Sequence, residues 1–230
     1  MGFSSALPRV LLSRGALERS AQALVAPGSL VDLRHDAFGH GAAETARILA
    51  GVGITDVIVD ADAVDESAAS GMRIHLSGTA DVDPSALFGI PDASGASAVD
   101  PVMRLQGRVL STKPLRAGEA VSYGYTHRAT EDTRVALVTG GYAQGILRAL
   151  GNRVRVQVGD AMLPVVGRIA MDVCVVDLEG GDAEDGAPVT YFGGTGGARE
   201  ALARWSDVSG LSAMEMAVVI GRHGQREWIA

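Results

Sequence analysis

The sequence predicts two kinds of fold in succession: an α/β segment on parallel strands over residues 1–100, then an all-β, antiparallel barrel-like domain over 101–230. Two observations carry this expectation. Apolar runs alternate with helical-period segments through residues 8–77. From Val102 onward, short β-prone runs recur at regular spacing with glycine-rich turns between them.

In the first segment, Val10 to Leu12 reads as a strand and Gly15 to Leu24 as a helix with apolar residues at helical spacing. Ser29 to Leu33 is β-prone and is followed by a turn at Phe38 to Gly41. Ala42 to Gly51 predicts a helix with Glu44 in its first turn and Gly51 as its stop. Ile54 to Val59 reads as a buried strand, so the rhythm is strand, helix, strand, helix, strand in a parallel sheet. Ser77 to Asp100, rich in Gly, Ala, Ser, Asp and Pro, reads as a linker.

In the second segment, strands are expected at Leu105–Thr112, Glu119–Tyr123, Arg134–Thr139, Arg153–Val158, Met162–Ile169, Val173–Leu178 and Val189–Phe192. Helices are expected at Ala198–Val208 and around Ser212–Ile220.

Composition narrows the function classes. Net charge is −7, which offers no basic footprint for nucleic acid. No apolar run reaches the 18 or so residues of a membrane helix. Met1 to Arg9 lacks a cationic stretch followed by a long apolar run, so no secretory leader is expected. The single cysteine, Cys174, rules out an internal disulfide and fits a reducing cytoplasm. His35, His75, His127 and His223 show no metal-ligand spacing, and no metal site is expected. Gly193 to Gly197, ahead of a helix, lacks the lysine of a phosphate loop and reads as a turn.

Lysine usage is the sharpest constraint. Lys113 is the only lysine among 20 basic residues. Arginine keeps its proton at physiological pH and cannot form a Schiff base, so any lysine chemistry must use Lys113.

Arg34-His35-Asp36-Ala37-Phe38-Gly39-His40-Gly41 resembles the motif Lys-Ala-Asn/Asp-Ala-Tyr-Gly-His-Gly of the alanine racemases, fold-type III pyridoxal-phosphate enzymes. The resemblance extends through Pro101-Val102-Met103-Arg104-Leu105, Val121-Ser122-Tyr123-Gly124, Gly141-Tyr142-Ala143-Gln144-Gly145 with Arg148, and Val166-Gly167-Arg168-Ile169-Ala170-Met171-Asp172. It implies a (β/α)8 barrel followed by the family's C-terminal β-domain. Between Gly41 and Pro101 only about two further βα units fit, so the first segment is expected to be a remnant of that barrel. The phosphate-binding loop and the arginine facing the pyridine nitrogen have no assignable residues.

The resemblance also assigns sites. Tyr123 holds the position of the family's second base, which is supplied across a dimer interface. Tyr142, Met171 and Asp172 hold substrate-entrance positions. Arg34 stands where the family's cofactor-bonding lysine stands, Phe38 replaces a tyrosine, and Met214 replaces the tyrosine near the cofactor phosphate. Gln144 replaces an aspartate. These exchanges predict lost pyridoxal-phosphate-dependent racemisation, no bound cofactor, and a role as a binding or regulatory partner. Its expected associates are a second copy or a full-length alanine racemase. Two alternatives remain open: an amino-acid racemase with an atypical site that retains pyridoxal phosphate, and a cofactor-free enzyme using the Tyr123 face.

Overall fold

The computed structural model describes residues 7–68 and 70–230, and forms two compact units. Most of the leader reading, on Met1 to Ala6, lies outside the described residues. Among the described residues no helix is long and apolar enough to cross a membrane.

One unit comprises Leu11–Met103, Ser212–Arg222 and Arg226–Ala230. After β1 (Arg9–Ser13), α1 (Arg14–Leu24) begins where the Ser13 hydroxyl accepts the Ala16 N–H, and it buries Ala16, Leu17 and Ala21. The strand β2 (Leu30–Asp32) leads to α2 (Arg34–Phe38) and α3 (Ala42–Gly51). β3 (Asp56–Ile58), α4 (Val64–Ala68), β4 (Arg73–His75) and α5 (Pro84–Phe88) follow. The sheet is parallel in the order β2-β3-β4, with Asp32 beside Ile58 and Ile58 beside His75. Two expectations change here. β1 forms as a strand but is not part of this parallel sheet. The stretch read as a linker holds α5, with Asp83 as its cap, Pro84 at its start, and Leu87 and Phe88 fully buried.

The expected turn after β2 is more unusual than a Gly-containing bend. His35, Asp36, Ala37 and Phe38 all have φ between 51° and 58°, giving a left-handed turn. Each such non-glycine residue costs about 1–2 kcal/mol, so the surroundings must over-determine it. Asp36 does much of this, since its Oδ1 accepts the Ala42 N–H at 2.8 Å and its Oδ2 pairs with Arg226.

Among the described residues, the other unit comprises Leu7–Val10, Arg104–Leu211 and His223–Gln225. Its strands are β5 (Met103–Leu115), β6 (Ala120–Val121), β7 (His127–Arg128), β8 (Thr133–Thr139), β9 (Arg155–Val158), β10 (Ala161–Val166), β11 (Val173–Asp177) and β12 (Pro188–Phe192). Six of them run antiparallel in the order β12-β9-β10-β11-β8-β5, and β12 also pairs with β5, closing a barrel. Closure removes exposed edges. Inward residues such as Leu105, Ala136, Val156, Val176 and Val189 are fully buried. Burying side chains of this size contributes roughly 1.5–3 kcal/mol each for Val and Leu. Trp205 of α6 (Ala201–Ser209) packs edge-on against Tyr191 and Phe192.

The strand expected over Glu119–Tyr123 is a correction. Only Ala120–Val121 is extended; Ser122 turns at φ 67° and Tyr123–Tyr125 form one 3-10 turn. The β6–β7 hairpin packs on the barrel through Leu115, Val121, Ala129, Val135 and Val166, with Val175 against them. Returning to the first unit, α7 (Ala213–His223) starts at a capping box in which Ser212 and Glu215 bond reciprocally.

Candidate functional site

The barrel unit carries an open cleft of about 790 Å3 on its outward face, lined by Lys113, Tyr123, Tyr125, Leu137, Arg168 and Val175 among others. Strand alternation produces it: Leu137 and Val175 point outward, while their neighbours Ala136, Val138, Cys174 and Val176 sit in the core. The 3-10 turn projects Tyr123, 70% exposed, and Tyr125, 72% exposed. Ser122 (φ 67°), just before that turn, and Tyr125 (φ 49°), its last residue, are both strained, as is common where function holds a backbone in place. Ser122 Oγ donates to the Arg168 carbonyl at 2.6 Å, and the Arg168 guanidinium lies against Gly124. Lys113, distant from Tyr123 in the sequence, lines the same cleft, which its spacing gave no means of foreseeing.

Tyr142, Met171 and Asp172 form a second group. The turn at Gly140–Gly145 is laid along Ala170–Asp172 by three backbone bonds of 2.8–3.0 Å. Gln144 is buried there. Its Oε1 accepts the Gly141 N–H at 2.9 Å and its Nε2 donates to Asp172 Oδ1 at 3.0 Å. A carboxylate at 144 has no such donor and would face Asp172 as a like charge. The Gln144 exchange therefore suits this structure. Tyr142 carries the Arg148 guanidinium 4.9 Å above its ring. Met171 and Asp172 are exposed.

Arg34, Phe38 and Met214 lie in the other unit. Arg34 is held by Asp32 as a fork, with Nε at 2.9 and 3.1 Å and one terminal nitrogen at 2.5 Å. Burial pushes the Asp32 carboxyl up, but hydrogen bonds and charge from Arg34 outweigh it and hold the carboxyl below its usual range. Phe38 packs edge-on to His35 and tilts against Phe88. Met214 offers no hydrogen to an oxyanion, and the adjacent Glu215 is used by the α7 cap. The residues of this unit do not fit a covalently held pyridoxal phosphate. The position that would bond it carries a paired guanidinium.

His40, kept from the motif, is a structural group. It is fully buried, stacks on Phe88 with centroids 4.1 Å apart, and places Nδ1 3.0 Å from the Ala37 carbonyl. Gly193–Gly197 is also structural: the Gln157 amide sits against Gly196 and accepts the Ala198 N–H at 3.1 Å. Among the described residues no group of His, Cys, Asp or Glu is placed to hold a metal ion.

A closed antiparallel barrel with an outward tyrosine-bearing hairpin defines a β-domain of the alanine racemase type. The chain belongs to that family: residues 102–228 match the family described as alanine racemase, C-terminal domain. The alanine racemase of Mycolicibacterium vanbaalenii is 41% identical over 134 residues, covering 57% of this chain and 34% of that protein. That of Helicobacter pylori strain J99 is 37% identical over 92 residues, 40% of this chain and 24% of that protein. The matched region thus spans about a third or less of these relatives. Among solved structures, alanine racemase from Streptomyces lavendulae aligns with TM-score 0.81 at 18% identity, covering 99% of this chain and 98% of that one. The Bartonella henselae enzyme, with covalently bound pyridoxal phosphate, aligns with TM-score 0.75 at 17% identity, covering 98% of this chain and all of that one. At these identities the structural likeness speaks for the fold alone.

Proposed function

We propose that this chain is a non-catalytic alanine racemase relative whose barrel domain, residues 101–230, docks on the barrel of a full-length racemase. It would present Tyr123, Tyr142, Met171 and Asp172 to the partner's site, completing or blocking it. The observation that carries this reading is a contrast within one chain. Tyr123 stands 70% exposed on a braced turn over an apolar cleft, whereas Arg34 is locked to Asp32 and cannot bond a cofactor aldehyde. On this reading residues 1–100 are the remnant of an eight-stranded βα barrel, and the protein works in the cytoplasm.

Mixing the chain with a full-length racemase tests it. A mixed dimer by native mass measurement, weakened by Tyr123→Ala or Asp172→Ala, is expected, together with altered racemase turnover. Self-association alone, with turnover unchanged by excess of this chain, would end the proposal.

A second reading has one observation in its favour. Lys113, the only amine side chain, lines the cleft that holds Tyr123. An atypical racemase would have to use it to hold pyridoxal phosphate. Borohydride reduction after incubation with the cofactor, followed by peptide mapping, separates the readings: a stoichiometric adduct at Lys113 supports the second, and its absence the first.

A further inference from the structure

The parallel sheet β2-β3-β4 has two edges, and the chain treats them differently. At the β2 edge the Asp81 N–H donates to the Leu30 carbonyl at 2.9 Å, and Asp81 Oδ2 accepts the Leu30 N–H at 2.8 Å. That strand is closed off by its own chain. At the other edge the Arg73 N–H donates to the Thr55 carbonyl at 2.8 Å, and the Val59 N–H donates to the His75 carbonyl at 3.0 Å. Arg73 and His75 therefore turn their peptide groups toward β3, and Ile74 between them turns its N–H and carbonyl away. Among the described residues no strand pairs with β4 on that side. An open edge of this kind is a template for another strand.

The side chains along the β4 edge fit a copy of themselves. Met72, Ile74 and Leu76 occupy alternate positions, with Arg73 and His75 between them. Leu76, 62% exposed, is the most exposed large apolar side chain among the described residues of its unit. Antiparallel pairing centred on Ile74 sets Ile74 against Ile74, and Leu76 against Met72 of the second copy. Apolar thus meets apolar at each of these positions. The same register sets Arg73 beside His75 of the second copy. Arg73 donates to Asp56 through Nε at 2.7 Å and Nη2 at 2.6 Å, and His75 Nε2 lies 3.0 Å from the same carboxylate. Each copy therefore brings its own counter-charge, and like charges do not gather unbalanced at the seam.

We infer that β4 of this chain pairs antiparallel with β4 of a second copy about Ile74, joining two three-stranded sheets into one of six strands. The two-fold contact is self-complementary and closed, so association stops at a dimer. It uses residues of one unit only, and rests neither on the tyrosine-bearing cleft nor on the docking proposed above.

Sedimentation equilibrium of the full chain across a concentration series tests it. A reversible monomer–dimer equilibrium is expected, weakened about tenfold or more by Leu76→Glu, which replaces an apolar contact with a charge. Ile74→Pro removes the outward N–H, which β3 does not use, and should weaken it too. Leu24→Glu, at another exposed apolar position of the unit, should leave it unchanged. Disulfide trapping reads the register, since Cys174 is buried. Ile74→Cys places two thiols across the two-fold axis with Cα atoms about 5.5 Å apart, within disulfide reach. Leu76→Cys places them on the order of 14 Å apart and should not cross-link. A chain that stays monomeric at every concentration leaves the edge to a strand of another protein and overturns the inference. Association undiminished in the Leu76→Glu, Ile74→Pro double variant overturns it as well, and so does equal cross-linking at 74 and 76.

Discussion

Gly221 of α7 and Gly39 of the left-handed turn touch backbone to backbone. A Cβ at 221 would collide with the Gly39 carbonyl, and a Cβ at 39 would lie 2.8 Å from the Ala217 carbonyl oxygen. Gly39 also has φ 87°, a conformation few side chains adopt. The turn that in the resembled family carries the cofactor lysine is thus clamped by a helix from much later in the chain. Gly221→Ala should lower stability by about 1–3 kcal/mol through overpacking, read as a shifted urea midpoint. Gly51→Ala, at the end of α3 with open space around it, should be neutral or stabilising. Equal effects at 221 and 51 would refute the close contact.

His40 should make stability depend on pH. Burial lowers its pKa from 6.5 to about 4, against the opposing pull of the Ala37 and Phe38 carbonyls. The unfolded chain therefore binds a proton at a pH where the folded chain does not. Stability from this group is complete above pH 6.5 and lost as pH falls toward 4, by about 1.4 kcal/mol per pH unit and roughly 3 kcal/mol in all. Urea midpoints at pH 7.5, 6 and 5 should trace this fall, and His40→Gln should flatten it. An identical slope in the variant would place the titration on other groups.

Cys174 should be unreactive in the folded protein. Its Sγ lies 3.1 Å from the Tyr191 hydroxyl, which donates to the Thr139 carbonyl at 2.8 Å, and burial raises the thiol pKa to about 11. A thiol reagent should modify it only as the barrel unfolds. Tyr191→Phe strands both partners and should cost about 1–3 kcal/mol. It should also bring labelling forward to lower denaturant. Rapid labelling of the native protein would contradict the buried position.

Arg34→Lys should not create a racemase. An ammonium can replace the charge beside Asp32 but not the two-pronged fork. With Arg34 about 40% exposed, the stability change should stay within about 1 kcal/mol. Alanine racemisation with added pyridoxal phosphate should remain at the background of the free cofactor. Turnover well above that background would show that the site needs only its lysine restored.

What the sequence made legible followed from local rules. α3 begins and ends where its apolar period and Gly51 place it, and β8 over Thr133–Thr139 shows as a β-branched run. α5 escaped because its five residues are too short for a period, although Asp83-Pro84 carried a helix-start signal. Strand character stops at Val121 because Ser122 takes a positive φ, with Gly167 packed against it from a distant loop that no local pattern reveals. Closure of β12 on β5 joins residues about 80 apart, and no local pattern encodes it. Tyr123 could be singled out by motif, but its exposure and its neighbour Lys113 required the barrel.

Lys113 has a practical consequence for work on this protein. A chain with a single side-chain amine labels at one internal address, and here that address lies in the cleft beside Tyr123. An acylating dye, resolved from the α-amino group by peptide mapping, becomes a gauge of whatever covers that face. Its reaction rate at Lys113 in crude mixtures would report occupancy directly, without a tag or an engineered cysteine.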